Sequence, residues 1–140
     1  MRLFVGLSLP QDVADAVLAL EGGVPGARWQ HREQLHMTIR FIGETDGATA
    51  NLIDDTLGGI VVPAFTLQLK GVGFFGGRMP HSLWAGVADE APLQHLNRKV
   101  EIALQHIGLA AQGRKYIPHV TIARLTASPR RAVMAFAGEN

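Results

Sequence analysis

Two short segments hold the residues best able to do chemistry. LHMTIRF (Leu35 to Phe41) and PHVTIAR (Pro118 to Arg124) share the pattern His-x-Thr-Ile. Each falls where apolar residues alternate with polar ones, the period of a β-strand. Side chains two residues apart on a strand project to the same face. His36 therefore stands with Thr38, and His119 with Thr121, while Met37, Ile39, Val120 and Ile122 turn to the opposite side. Imidazole as a side-chain type exchanges its proton near pH ~6.5. Two imidazoles facing one phosphodiester can thus serve as base and acid at neutral pH, one taking a proton from the attacking oxygen and the other giving one to the leaving oxygen. The threonine hydroxyls can donate to the non-bridging phosphate oxygens as charge builds there. The scheme needs no thiol, carboxylate pair or bound metal, and the chain has no GxxxxGK[ST] loop. One His-x-Thr is more often a hydrogen-bonded strand histidine than a catalyst. The duplication is what points to a reaction.

The elements that must position these motifs follow from hydrophobic period. Leu3, Val5, Leu7 and Leu9 alternate as a strand over residues 2–9. After Pro10, Val13, Ala14, Val17, Leu18 and Leu20 form a helical face, closed by Gly22-Gly23. Leu35 to Ile42 reads as a strand. Asp46 can cap a helix that carries Leu52, Ile53 and Leu57 inward and stops at Gly58-Gly59. Residues 64–72 alternate as a strand, GVGFFGGRMP reads as a Gly-rich loop, and Ser82 to Val87 returns as a strand in a long-looped hairpin. Pro92 to Ile107 holds the clearest amphipathic helix in the chain, with Leu93, Leu96, Val100, Leu104 and Ile107 on one face. Tyr116 to Leu125 is a further strand, and residues 126–140 carry no strong period. Strands and helices are mixed and the hairpin implies antiparallel pairing, so the fold class is α+β with helices packed over sheets.

Composition narrows the function. A chain of 140 residues suits one domain, or two small lobes sharing a core. With 47% hydrophobic and 18% charged residues it is too apolar for intrinsic disorder. Thirteen basic and twelve acidic residues leave +1, so no global field draws it to nucleic acid, and any nucleotide contact is local. Without cysteine there is no disulfide scaffold or thiol nucleophile. No His/Asp/Glu group has metal-ligand spacing, so neither a metal nor a cofactor is expected. The opening MRLFVGLSLP is too short an apolar run for a secretory signal, and a cytoplasmic location is the expectation.

These motifs, with the opening RLFVGLSLP, the segment RWQHREQLHMTIRFIGE, SLWAGV and YIPHVTIAR in the same order, resemble the two-histidine (2H) phosphoesterase superfamily. The resemblance is greatest to the RNA 2′,3′-cyclic phosphodiesterases, also called LigT-like 2′-5′ RNA ligases. It implies a single domain of two intertwined, pseudo-symmetric lobes, each a small antiparallel sheet with helices outside and a cleft between. It implies hydrolysis of a 2′,3′-cyclic phosphate on RNA ends or nucleotides to a 2′-phosphate, together with a reversible 2′-5′ joining step that uses no ATP. By the same resemblance His119 is the base, His36 the acid, and Thr38 and Thr121 hold the phosphate. Arg124, five residues after His119, falls where the family often has a phosphate-binding Arg. Phe41, five after His36, is its counterpart and could pack on a nucleobase or, alternatively, in the core. An odd offset puts both on the opposite face of a regular strand, so a bulge or a strand end must turn them inward if those roles hold.

Arg40 shares the His36 face of a regular strand and would raise the local positive potential. Phe75 and Arg78 in the Gly-rich loop are lesser candidates for base and phosphate contact, with a plain surface loop the simpler reading. His31, His81, His95 and His106 have no paired partner. Family members commonly extend further after the second motif, and strand exchange or a dimer is the expected compensation for a short C-terminus. Two rival functions use the same scaffold. One is a phosphodiesterase for another small cyclic phosphate, and the other a non-catalytic RNA-binding module, which would need no acid–base pair.

Overall fold

The alternating and helical periods become six strands and four helices in the computed structural model, which describes residues 1–140. In chain order they are β1 (Arg2–Ser8), α1 (Gln11–Leu18), β2 (Ala27–Trp29), a 3-10 turn (Arg32–Gln34), β3 (His36–Glu44), α2 (Gly47–Leu57), β4 (Leu69–Phe75), β5 (Ser82–Val87), α3 (Ala91–His106), β6 (Val120–Leu125) and α4 (Arg130–Glu139). The fold is α+β with an open antiparallel sheet. No helix is long and apolar enough to cross a membrane.

Contacts divide the chain into two units. The first comprises Met1–Leu7, Thr38–Leu67 and Asp89–Pro118. In it β1 hydrogen-bonds to β3, turning Leu3, Val5 and Leu7 inward and Arg2, Phe4 and Gly6 outward. The Asp46 carboxylate accepts the Thr49 N–H at 2.7 Å, which starts α2 and holds that carboxyl below the usual carboxylate range. Helix α3 buries Leu93, Val100 and Leu104 along one stripe. Its polar shoulder grips β3. The Asn97 amide donates to the Ile39 carbonyl at 2.9 Å, and Glu101 pairs with Arg40 at 2.9 Å.

The second unit comprises Ser8–Met37, Gln68–Ala88 and His119–Asn140. Here β6 is central, with β5 and then β4 along one edge and β2 and the start of β3 along the other. Cross-strand partners share a face. One face is closed, formed by rows such as Val72–Ala85–Val120–Met37 and Phe74–Leu83–Ala123–Trp29. Met37, Leu83, Val120, Ile122 and Ala123 are fully buried there, and each larger side chain contributes about 1.5–3 kcal/mol. Helix α4 packs on this face. Its Phe136 meets Trp29 at 5.6 Å between ring centroids, and its Arg130 guanidinium lies 5.9 Å from the Phe74 ring.

Four elements differ from their sequence patterns. The β4 strand runs through Leu69–Phe75, so Phe74 and Phe75 are strand residues and residues 64–68 are not. The short β2 was not expected. The second motif enters its strand only at Val120, leaving Tyr116 to His119 as an extended lead-in. Residues 130–139 form α4 despite their weak period, because Val133 and Phe136, three apart, have the closed sheet face to bury against.

Candidate active site

The opposite face of the second unit's sheet carries both histidines. Met37 is the cross-strand partner of Val120. In an antiparallel pair, one residue back on one strand faces one residue on along the other. His36 therefore stands beside Thr121, and His119, two residues before Thr121, is its diagonal neighbour at about 7–8 Å. That spacing leaves room for a phosphate between two imidazoles. All three residues are half-buried.

His36 opens β3 directly after the 3-10 turn. Its Nδ1 lies 2.7 Å from the Gln34 carbonyl oxygen. A carbonyl can only accept, so Nδ1 is the donor in this hydrogen bond. The turn itself is braced by the Arg32–Asp15 ion pair and by the His31 N–H donating to the Gln34 side chain at 2.8 Å.

His119 is held by aromatic rings. Phe75 meets it edge-on at 5.1 Å and 89°, and Trp84 meets it at 6.0 Å and 60°. Phe75 and Trp84 pack on each other at 5.2 Å. Trp84 is the cross-strand partner of Thr121, and its indole lies across Gly73, where any Cβ would come within 2.5 Å of the ring. The turn after Phe75 needs glycine too. Gly76 has φ +110°, and a Cβ there would meet the Met79 carbonyl at 2.4 Å. SLWAGV reads as a strand in the sequence but GVGFF reads as a Gly-rich loop, and the packing of this wall on the histidine that leads into β6 is not a local property.

A bulge decides where Arg124 points. Trp84 pairs with Thr121 while Leu83 pairs with Ala123, so β6 has one residue more than β5 at Ile122. Ile122 and Ala123 consequently both face the core, each 0% exposed. The alternation is reset, and Arg124 emerges on the face of His119 and Thr121. Arg28 of β2 is its cross-strand partner on that same face, a residue that its sequence neighbourhood did not single out.

Thr38 and Phe41 belong to the first unit. The Thr38 carbonyl accepts the Tyr116 hydroxyl at 2.8 Å, and the Gln94 amide donates to the Tyr116 carbonyl at 2.9 Å. Burial first, and then the Glu90 charge, push the Tyr116 phenol up to about 12, so it remains a donor. Phe41 is not a core residue. It is 48% exposed, with the Arg2 guanidinium 5.8 Å from its ring centre. Arg40 does not lend the site a positive charge as its position on a regular strand suggests. It is 6% exposed and spends its donors on Glu101 and on the carbonyls of Phe41 and Ala110.

Comparisons with known proteins bear on the family and the fold. The model of the 2′-5′ RNA ligase superfamily matches residues 9–137. The chain is similar to an RNA 2′,3′-cyclic phosphodiesterase of Geobacillus stearothermophilus, 30% identical over 128 residues that cover 86% of this chain and 41% of that protein. A protein of the same name from Thermotoga maritima is 30% identical over 136 residues, 92% of this chain and 72% of the relative. The chain thus spans less than half of the first relative's length. Among solved structures, a Thermus thermophilus protein, TT0787, superposes with a TM-score of 0.80 at 24% identity, covering 91% of this chain and 75% of the other. E. coli LigT complexed with 3′-AMP superposes at 0.76 with 22% identity, covering 91% and 78%. At those identities the structures speak for the fold.

Proposed function

Because the chain belongs to the 2′-5′ RNA ligase superfamily, we propose that it opens a 2′,3′-cyclic phosphate on an RNA end or nucleotide to a 2′-phosphate, with two imidazoles and no metal. The observation that carries the reading is the Met37–Val120 register, which makes His36 and His119 diagonal neighbours on one sheet face. Water attacks phosphorus as His119 takes its proton, the P–O3′ bond breaks, and His36 protonates the departing 3′-oxygen. If a 5′-hydroxyl attacks instead of water, the same bond breaks and a 2′-5′ linkage forms, which accounts for a joining activity without ATP. In this reading the Thr121 and Thr38 hydroxyls donate hydrogen bonds to the non-bridging oxygens, Arg124 offsets their charge, and the exposed Phe41 ring stacks on a base. The physiological setting is the cytoplasm, where RNA ends bearing cyclic phosphates are the substrates.

The test is turnover in EDTA of a short RNA ending in 2′,3′-cyclic phosphate. The expected product is the 2′-phosphate, lost by a factor of at least about 100 in His36→Ala or His119→Ala. A 3′-phosphate product would reverse the leaving oxygen and the two histidine roles. Turnover only of other small cyclic phosphates would favour the second enzyme reading, and RNA binding without turnover at any pH would favour a binding module.

A further inference from the structure

Two arginines stand directly opposite each other on the open face of the second unit, Arg28 on β2 and Arg124 on β6. Both are exposed. Like charges in this position repel and weaken the pair. No carboxylate relieves them, since the ion pairs of the chain join Met1 to Glu44, Arg32 to Asp15 and Arg40 to Glu101. The strand that delivers Arg28 is three residues long, pairing at Ala27, Arg28 and Trp29. Its neighbour Trp29 is anchored on the closed face by Phe136, which fixes the opposite projection of Arg28. An unrelieved pair of guanidinium forks is an arrangement that an anion completes.

The row that holds this pair lies two residue steps from the row of Thr121 once the bulge is discounted, or about 7 Å along the strands. That displacement is comparable to one phosphate step in an extended RNA strand. Arg124, on the strand that His119 leads into, is the arginine assigned to the reacting phosphate above. Arg28 stands opposite Arg124 on β2, which flanks β6 on the same edge as β3, in the row about one phosphate step from that of Thr121. We infer that Arg28 binds the internucleotide phosphate next to the terminal cyclic phosphate, so that this chain selects oligonucleotide ends over free cyclic mononucleotides. The inference rests on the cyclic-phosphate reading above and adds the substrate's length to it.

The experiment compares wild type with Arg28→Gln and Arg28→Lys on three substrates sharing one terminal base: a 2′,3′-cyclic mononucleotide, a dinucleotide ending in that cyclic phosphate, and the same dinucleotide with a neutral methylphosphonate linkage. Arg28→Gln is expected to cut the dinucleotide-to-mononucleotide ratio of kcat/KM about tenfold, through KM rather than kcat. Arg28→Lys recovers part of it, and the methylphosphonate substrate does not distinguish the variants. The slope of log affinity against log salt should fall by about 0.7 for the lost phosphate contact. An unchanged ratio, or equal losses on all three substrates, overturns the inference. Calorimetric titration with the dinucleotide 2′-phosphate separates the two readings. If wild type turns nothing over yet binds this dinucleotide about tenfold tighter than Arg28→Gln, the cyclic-phosphate activity fails and the Arg28 contact stands. If turnover occurs but binding and the kcat/KM ratio ignore Arg28, the reverse holds.

Discussion

Replacing Glu101 by Gln should weaken the protein in a way that depends on pH. The Glu101 carboxylate is mostly buried and receives Arg40 at 2.9 and 3.2 Å, the Gln112 N–H at 2.9 Å and the Gln105 amide at 3.1 Å. Chiefly through the Arg40 hydrogen bonds, its pKa falls from 4.5 to about 2. The folded value lies below the unfolded one, so the contribution is fully present above pH 4.5 and is lost as pH falls toward 2. A shift of this size corresponds to about 3 kcal/mol, or roughly 10 °C in melting temperature for a chain of this length. Arg40 also holds the Ala110 carbonyl at 2.5 Å and Glu101 accepts the Gln112 N–H, so the change also loosens the segment that follows α3. The assay is thermal denaturation of wild type and Glu101→Gln followed by circular dichroism between pH 2 and 7. The melting temperatures should differ by about 10 °C at pH 7 and converge toward pH 2. A gap that stays constant across that range would refute the reasoning, because it would assign the loss to packing rather than to charge.

Three other outcomes follow from the geometry. Gly73→Ala puts a methyl group where the Trp84 indole lies, so it should cost about 1–3 kcal/mol and lower turnover by displacing a ring that holds His119; unaltered melting and rate would show that the wall yields freely. Tyr116→Phe removes the hydroxyl that donates to the Thr38 carbonyl and should cost about 1 kcal/mol, equally at all pH values below 11 because the phenol titrates only near 12. The rate against pH should trace a bell, with one limb abolished in the residual activity of His36→Gln and the other in that of His119→Gln; a profile with the same two limbs in both variants would remove the histidines from proton transfer.

The parts of this protein that were legible in its sequence are those governed by local period and local hydrogen bonding. Alternation placed β1, β3 and β5, the stripe from Leu93 to Leu104 placed α3, and Asp46 marked the start of α2. The two His-x-Thr copies pointed to the acid–base pair proposed above, and Arg124 could share their face only through a bulge or at a strand end. What the sequence could not supply was any property that depends on a partner distant in the chain. The bulge at Ile122 exists only against β5, α4 forms because a sheet face awaits Val133 and Phe136, and Gly-rich β4 is a strand because Trp84 occupies the space that side chains would fill. Arg40 is the clearest case. Its strand position promised a charge for the site, but Glu101, 61 residues away, claims its guanidinium. Period is set by neighbours along the chain, whereas the fate of a charge or the direction of a side chain past a bulge is settled by neighbours in space.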